Sequence, residues 1–451
     1  MRVTGGSTRR RPRRFDGQSP TELAVFSATE QLLTEMPFED ISVAQIISRT
    51  GLSRANFYHY FANKYDVLVA MATQLFDDTY TESGPWQAPP GKLRARSMDA
   101  SVRPTLEMWS KHGGVVCAVV EHMHSVPVVA EVWTATFDRF VSAVAEQIAY
   151  EREVGAAPPG APSELIATVL VCGIERSFYV GTRALDARLP TADSAVAPIV
   201  ALTLAAIYGD CEPGRKPKRP SKNRRPNPVA VAPASLVQPA LAASETAATI
   251  LEATNSLLME CALGKLSVAR IIERAHASRA TFYFYFTSKD DAFAALYRGV
   301  AETTIRGLQE LLTVDRSDTE NIKTMVMDWL APDERTLVVL RNALHEWPRR
   351  PELRRVYRDG MARMADVLET VITTDRANGV APDGPPAAAL SAVLLWTIER
   401  TVAGALARED NLADFREVTA LLAQLTVSAI YGNPTGLMSQ QPSESHTHTP
   451  Y

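Results

Sequence analysis

Ser42-Val43-Ala44-Gln45-Ile46-Ile47-Ser48-Arg49-Thr50-Gly51-Leu52-Ser53-Arg54-Ala55-Asn56-Phe57-Tyr58-His59-Tyr60-Phe61-Ala62-Asn63-Lys64 reads as a helix, a tight turn and a second helix. Ser42 suits the N-cap of a helix whose apolar face is Val43, Ile46 and Ile47. Gly51 supplies the positive φ that a turn between two helices needs. Ser53 caps the second helix, on which Phe57 and Phe61, at i and i+4, share an inward face. Arg54, Ala55, Asn56, Tyr58 and His59 are left on the outward side, the first three in the opening turn.

The same sentence is written twice. Ser267-Val268-Ala269-Arg270-Ile271-Ile272-Glu273-Arg274 and Ser278-Arg279-Ala280-Thr281-Phe282-Tyr283-Phe284-Tyr285-Phe286 repeat it at a shift of 225, and Lys64 falls on Lys289, giving 14 identities in 23 positions. The match extends both ways. Thr21, Ala28, Thr29, Leu32, Leu33 and Glu35 return as Thr246, Ala253, Thr254, Leu257, Leu258 and Glu260. Ile174-Glu175-Arg176 returns as Ile398-Glu399-Arg400, and Ala206-Ile207-Tyr208-Gly209 as Ala429-Ile430-Tyr431-Gly432. A whole domain is therefore duplicated. At 451 residues the chain also exceeds what one core usually supports.

Apolar spacing of three and four, with breakers at Pro158-Pro159-Gly160 and between Pro382 and Pro386, predicts an all-α protein. The expected map is a basic arm at 1–19, a first helix-turn-helix domain at 20–68 and a first helical regulatory domain at 69–209. A Pro-rich basic linker at 210–243 leads to a second helix-turn-helix domain at 244–293, a second regulatory domain at 294–432 and a polar tail at 433–451.

The hydrophobic fraction of 46% and charged fraction of 22% are those of an ordinary globular protein. The formal net charge of −4 conceals a segregation: Arg2, Arg9, Arg10, Arg11, Arg13 and Arg14, with Arg215, Lys216, Lys218, Arg219, Lys222, Arg224 and Arg225, hold 13 of the 47 basic residues. Flexible basic arms lie readily along phosphates; the alternative is a solvated linker that binds nothing. Cysteines 117, 172, 211 and 261 have neither zinc spacing nor disulfide density. The basic N-terminus lacks the apolar run of a signal peptide, and the most apolar run, Ala195 to Tyr208, is shorter than the ~20 residues of a membrane span. A cytoplasmic, nucleoid-associated protein without membrane span or cofactor is expected.

A helix whose first turn carries Arg, Ala and Asn fits the major groove, where such side chains meet guanine, the thymine methyl and adenine. Tyr58, Tyr60 and Lys64 are read as phosphate contacts that set register. The alternative is a plain helical hairpin with surface aromatics. The segment from Ile41 to Leu68, with its Phe-Tyr-His-Tyr-Phe-x-x-Lys ending, resembles the DNA-binding region of the tetracycline-repressor (TetR) family, specifically over roughly 20–68 and 245–293. The resemblance implies two tandem modules, each an N-terminal helix-turn-helix domain followed by a helical ligand and dimerisation domain. It implies DNA contacts at Ser42, Arg54, Ala55, Asn56, Tyr58, His59, Tyr60 and Lys64. In the second copy these are Ser267, Arg279, Ala280, Thr281, Tyr283, Phe284, Tyr285 and Lys289. That copy departs from the pattern at His276, where the family prefers glycine, and at Phe284, which stands where His59 does.

The resemblance also implies a non-enzymatic transcriptional regulator of double-stranded operator DNA, in the commoner case a repressor released by a small apolar effector. With Ser163 to Leu185, Ala195 to Tyr208, Pro386 to Arg408 and Leu412 to Tyr431 as interface helices, one chain could close a four-helix bundle and act as a pseudo-dimer; a homodimer of chains is the alternative. Met108, Trp109, Met123, Trp133 and Phe137 in the first module, and Met325, Trp329, Trp347 and Tyr357 in the second, are candidate pocket linings, against the plainer reading as core. Rival readings are weaker. Glu175-Arg176 and Glu399-Arg400 are more simply helix-surface or interface ion pairs than catalytic groups. His122 and His124, with His112 and Cys117, are a poor metal set because i and i+2 do not share a helical face. An interaction scaffold with a decayed second reading head is the remaining alternative.

Overall fold

The computed structural model describes residues 19–79, 92–209, 244–316 and 318–432; the expected basic arm up to residue 18, the linker at 210–243 with Cys211, and the tail at 433–451 lie outside them. Every regular element among the described residues is a helix. In the first copy these are α1 (Pro20–Glu35), α2 (Val43–Thr50), α3 (Arg54–Tyr60), α4 (Lys64–Thr79), α5 (Lys92–His122), α6 (Pro127–Glu153), α7 (Ser163–Thr182) and α8 (Val196–Tyr208). In the second they are α9 (Glu245–Glu260), α10 (Val268–Arg274), α11 (Arg279–Tyr285), α12 (Lys289–Gln309), α13 (Thr319–Trp329), α14 (Glu334–Glu346), α15 (Pro351–Ala377), α16 (Ala387–Ala407) and α17 (Phe415–Tyr431).

The described residues form two compact units that do not follow the repeat boundary. One holds α1 to α4 with residues 112–134. The other holds 92–111, 135–209 and the whole second copy. The helix α5 leaves regular geometry at His112 (φ −119°, ψ 24°), where the units divide.

The physical reason for that division lies in α7, α8, α16 and α17, which pack on one another as a four-helix bundle drawn from both copies. Pro162 and Pro386 stand directly before α7 and α16, and Asp414 caps α17 through the Arg416 and Glu417 amides. Both α7 and α16 are long and apolar enough by composition to cross a bilayer, which the shorter run at Ala195 to Tyr208 is not. Yet 89% of each apolar window is buried inside the protein. A helix apolar on all sides is what the centre of a bundle requires.

These two helices meet closely. A Cβ on Gly173 would stand 2.6 Å from Thr397 Oγ1 and 3.1 Å from Thr397 Cγ2. Gly173 and Thr397 occupy the same place in the two copies, each preceding an Ile-Glu-Arg run. Residues that touch their own equivalents lie on a two-fold axis, so the junction has the symmetry of an isologous dimer within one chain. The adjoining charges obey it. Arg400 Nε donates to Glu175 Oε2 at 2.7 Å, and Arg176 Nε lies 3.1 Å from Glu399 Oε2, all four side chains 3% exposed or less. Of the two readings of each Glu-Arg doublet, helix-surface or interface ion pair, the interface one holds: the pairing runs across the copies, because adjacent residues on a helix face different ways.

The segment after α7 adds to the junction. Trp396 Nε1 donates to Asp186 Oδ2 at 3.0 Å, Arg358 Nε to the Leu185 carbonyl at 2.6 Å, and Arg188 pairs with Glu369 at 3.0 Å and also with Asp366.

Two consequences are measurable. Gly173→Ala should lower stability by about 1–3 kcal/mol by overpacking, and Thr397→Ala in the same background should recover most of it; calorimetric melting of the four chains of this cycle reads the coupling. Burial pushes the His345 imidazole, on α14, down to about 4, with Arg400 and Arg176 adding to the effect and Glu409 and Glu346 opposing it. The unfolded chain takes up that proton near pH 6.5. Stability carried by neutral His345 is therefore complete above pH 6.5 and is lost as pH falls toward 4. Denaturant titrations across that range should show the decline, and His345→Gln should flatten it.

Candidate nucleic-acid interface

The first reading head is assembled by caps. Ser42 and Gln45 form a reciprocal capping box, with Gln45 N donating to Ser42 Oγ at 3.3 Å and Ser42 N to Gln45 Oε1 at 2.7 Å. Gly51 ends α2 at φ 67°, and Ser53 accepts from Asn56 N at 3.1 Å to start α3. Phe57 and Phe61 are buried with ring centroids 5.7 Å apart, and Phe26 of α1 meets Phe61 at 6.1 Å. Arg49 clamps α2 to α1 through a two-pronged pair with Glu35, 2.9 Å and 2.5 Å.

That anchoring leaves Ser42, Arg54, Ala55, Tyr58 and His59 exposed, with Asn56, Tyr60 and Lys64 half-buried. In the second head Ser267, Arg279, Ala280, Tyr283 and Phe284 are exposed, and Thr281, Tyr285 and Lys289 half-buried. The Phe282–Phe286 pair is again 5.7 Å apart, and Arg274 bonds Glu260 at 2.7 Å as Arg49 bonds Glu35. One face of each short helix is thus fixed and the other is presented.

The heads differ where a ligand would be read. Arg270 replaces Gln45 and bonds Glu260 and Cys261, so the side-chain half of the capping box is gone. His276 adopts φ 50°, a conformation that costs a non-glycine residue about 1 kcal/mol or more. Thr281, in the place of Asn56, shares a hydrogen bond of 2.7 Å with Ser278 Oγ, so its hydroxyl is turned back on the cap. Phe284 is 81% exposed, an aromatic ring held in water beside Tyr283.

At two positions of each head expected to contact phosphate, Lys64 and Tyr60 with Lys289 and Tyr285, the side chains have partners within the head. Lys64 Nζ donates to the carbonyls of Phe38, Glu39 and Ile41 at 2.8, 2.7 and 2.9 Å, and lies 5.0 Å from the Phe38 ring centre. Lys289 does the same with Leu263, Gly264 and Leu266 at 3.2, 3.4 and 2.9 Å. An ammonium has three protons, and all are spent on carbonyls in and just after a short 3-10 turn, of which Phe38 and Leu263 also accept the turn's own amides from Ile41 and Leu266. The lysine is therefore a staple between that turn and α4 or α12. Burial pulls the Lys64 ammonium below its ordinary value, with Glu39 and Asp40 opposing. Likewise Tyr60 and Tyr285 meet the Ser19 and Ser244 hydroxyls, at 3.5 and 2.8 Å, so these phenols tie the recognition helix to the start of the head.

The pocket candidates separate. In the second module Trp329 and Tyr357 line a cavity of about 100 Å³, together with Tyr297, Met361, Met364 and Glu399, which sequence reasoning missed. Met325 is half-buried and is not among the residues lining it. Trp347 is sealed behind Tyr357, stacked 5.0 Å away at 3°, with its Nε1 donating to Glu399 at 3.0 Å. Ring packing, not a cavity wall, is its role. In the first module Met123 and Trp133 belong to one compact unit and Met108, Trp109 and Phe137 to the other. Trp133 meets Phe76, Trp109 meets Phe178, and Phe137 underlies the Arg400 guanidinium at 5.5 Å. Of the histidines, His112 bonds Glu30 at 2.8 Å, and His122 bonds the Ala118 carbonyl at 2.9 Å.

Lys64→Met should therefore destabilise the first head by about 1 kcal/mol, chiefly through the Ile41 carbonyl it strands, and so lower its melting temperature. It should leave the slope of log K against log salt for DNA binding unchanged, whereas loss of a phosphate contact reduces that slope by about one. Calorimetry and a salt titration of DNA binding by the folded variant separate the two roles.

Comparison with known proteins agrees with this architecture. The model for bacterial regulatory proteins of the tetR family matches residues 25–71 and 250–296, and that for the C-terminal domain of the transcriptional regulator EthR matches 98–209 and 320–432. The HTH-type transcriptional regulator EthR of Mycobacterium tuberculosis is 27% identical over 190 residues, 42% of this chain and 88% of that protein. Its namesake in Mycolicibacterium smegmatis is 29% identical over 219 residues, 46% and 97% of the two chains. Among solved structures, a putative TetR-family regulator from Mesorhizobium loti matches at 20% identity and a TM-score of 0.34, covering 42% of this chain and 99% of that one. This chain belongs to the TetR family of bacterial transcriptional regulators, carrying the family's DNA-binding domain and an EthR-type C-terminal domain twice in tandem.

Proposed function

We propose that this DNA-binding regulator is a repressor that acts as a single-chain pseudo-dimer on an operator with two unlike half-sites, and that a small apolar ligand releases it. The observation that carries this reading is the reciprocal burial of Glu175 with Arg400 and Arg176 with Glu399. A surface that would otherwise seek a second chain is occupied by the chain's own other copy. A junction with two-fold symmetry suits a two-fold arrangement of half-sites about one helical turn apart. Divergence at Asn56/Thr281 and His59/Phe284 makes the two half-sites different. In the ligand step, a molecule binding one arrangement of the heads better than the other shifts the population away from the DNA-competent one. On this reading Arg54, Ala55, Asn56, Tyr58 and His59 face one half-site and Arg279, Ala280, Thr281, Tyr283 and Phe284 the other.

Selection of bound sequences from random duplex DNA, followed by the mass of the complex, tests the proposal. Two dissimilar half-sites with one chain per duplex are expected. Arg54→Ala and Arg279→Ala should each cost about 1–3 kcal/mol of operator affinity and relax preference in separate half-sites. A palindrome bound by two chains would replace the pseudo-dimer with a dimer of chains, and no enriched sequence would refute specific recognition.

A further inference from the structure

The two junction pairs are equivalent in sequence but unequal in bonding. Arg400 is well held, its Nε on Glu175 at 2.7 Å and its Nη1 on Glu409 Oε2 at 2.9 Å. In the other pair the 3.1 Å approach is misaligned, so neither Arg176 Nε nor Glu399 Oε2 makes a hydrogen bond, and Arg176 Nη1 makes none either. Glu399 Oε1 is satisfied by Trp347 Nε1 and Tyr357 Oη, both at 3.0 Å. The carboxylate is 2% exposed, and one of its two oxygens is buried without a donor.

That carboxylate borders the cavity of the second module and is the one formally charged side chain among its lining residues. The remaining walls are apolar or aromatic, with Tyr297, Thr304, Trp329 and Tyr357 carrying the neutral polar groups. The ion cluster around it is also short of positive charge. Glu175, Glu399 and Glu409 face Arg176 and Arg400, three carboxyl groups against two guanidiniums; burial raises the Glu399 carboxyl above its ordinary range against the opposing pull of Arg176, and His345 beside them stays neutral at pH 7. A buried carboxylate oxygen without a donor is costly, and a cation in an apolar cavity is tolerated only against such a group.

We propose that this cavity takes a small apolar amine, whose ammonium donates to the Glu399 carboxylate and competes with Arg176 for it across the junction of the two copies. The proposal deepens the ligand-release reading above and rests on it. At about 100 Å³ the cavity is smaller than the roughly 150 Å³ that holds benzene, so it takes a short chain as it stands and a body of one ring only as the flexible side chains of Met361 and Met364 yield further space. Because Arg176 lies on α7 of the first copy and Glu399 on α16 of the second, a ligand bound in one module alters the contact that fixes it to the other. The tight Arg400–Glu175 pair is the pivot that remains.

Benzylamine, benzyl alcohol and toluene share one body and differ in charge, so titration calorimetry of the full chain with each, near neutral pH, is the test. Benzylamine should bind at least about ten-fold tighter than the other two, as charge-assisted hydrogen bonding requires. It should also weaken operator binding. In Glu399→Gln its advantage over benzyl alcohol should vanish while toluene binding is unchanged. Should that variant not fold, Arg176→Met, which frees Glu399, should tighten benzylamine; unchanged or weaker binding would overturn the proposal. Equal affinity of the wild-type chain for all three compounds, or binding of none, overturns it as well. Amine selectivity without any change in operator affinity overturns the coupling to the junction. Because operator selection is read without ligand, a chain that recognises its operator but not the amine defeats this inference alone.

Discussion

Two arginines and two glutamates buried where the copies meet set the terms for the rest of the molecule. Removing four charges from water is expensive, and a buried pair returns that cost only when the geometry is good and the remaining polar atoms are satisfied. The pairs therefore contribute selectivity more than raw stability: a mismatched partner would leave an ion stranded, at a cost on the order of 3–5 kcal/mol. Around them, Gly173 lets α7 and α16 approach, and the long apolar helices gain their stability from area removed from water. The ions fix which surfaces meet; the apolar burial makes the meeting stable.

Carrying both halves of a two-fold interface on one chain changes what each half is free to become. In two identical chains every substitution appears twice. Here the two sides have drifted apart: Arg400 has acquired Glu409, Glu399 has acquired Trp347 and Tyr357, and Arg176 is left under-bonded. The heads have drifted in the same way, with Gly51 against His276 and His59 against Phe284. What has not drifted is the scaffolding: the Ser caps, the Phe pairs, the Arg49–Glu35 and Arg274–Glu260 clamps and the lysine staples recur in both copies. Each of these holds backbone that would otherwise lose hydrogen bonds or burial.

The amino-acid sequence by itself determined the repeat, the all-α class, the turn at Gly51 and the buried Phe57–Phe61 pair, because each is written in local spacing or in the conformational limits of a residue type. It also determined which side of the recognition helix is exposed, since fixing two phenylalanines inward fixes the rest. Only the tertiary structure showed which groups Lys64 and Tyr60 meet within the head. A lysine three residues after an aromatic run looks the same in sequence whether it meets phosphate or three carbonyls, and those carbonyls lie more than twenty residues away. The same holds for the junction: Ile-Glu-Arg occurring twice hinted at an interface, but that Glu175 pairs with Arg400 and not with Arg176 depends on two helices crossing at Gly173. The cavity at Glu399 was equally hidden, because its walls are collected from six helices, and no periodicity along one helix records the space between several.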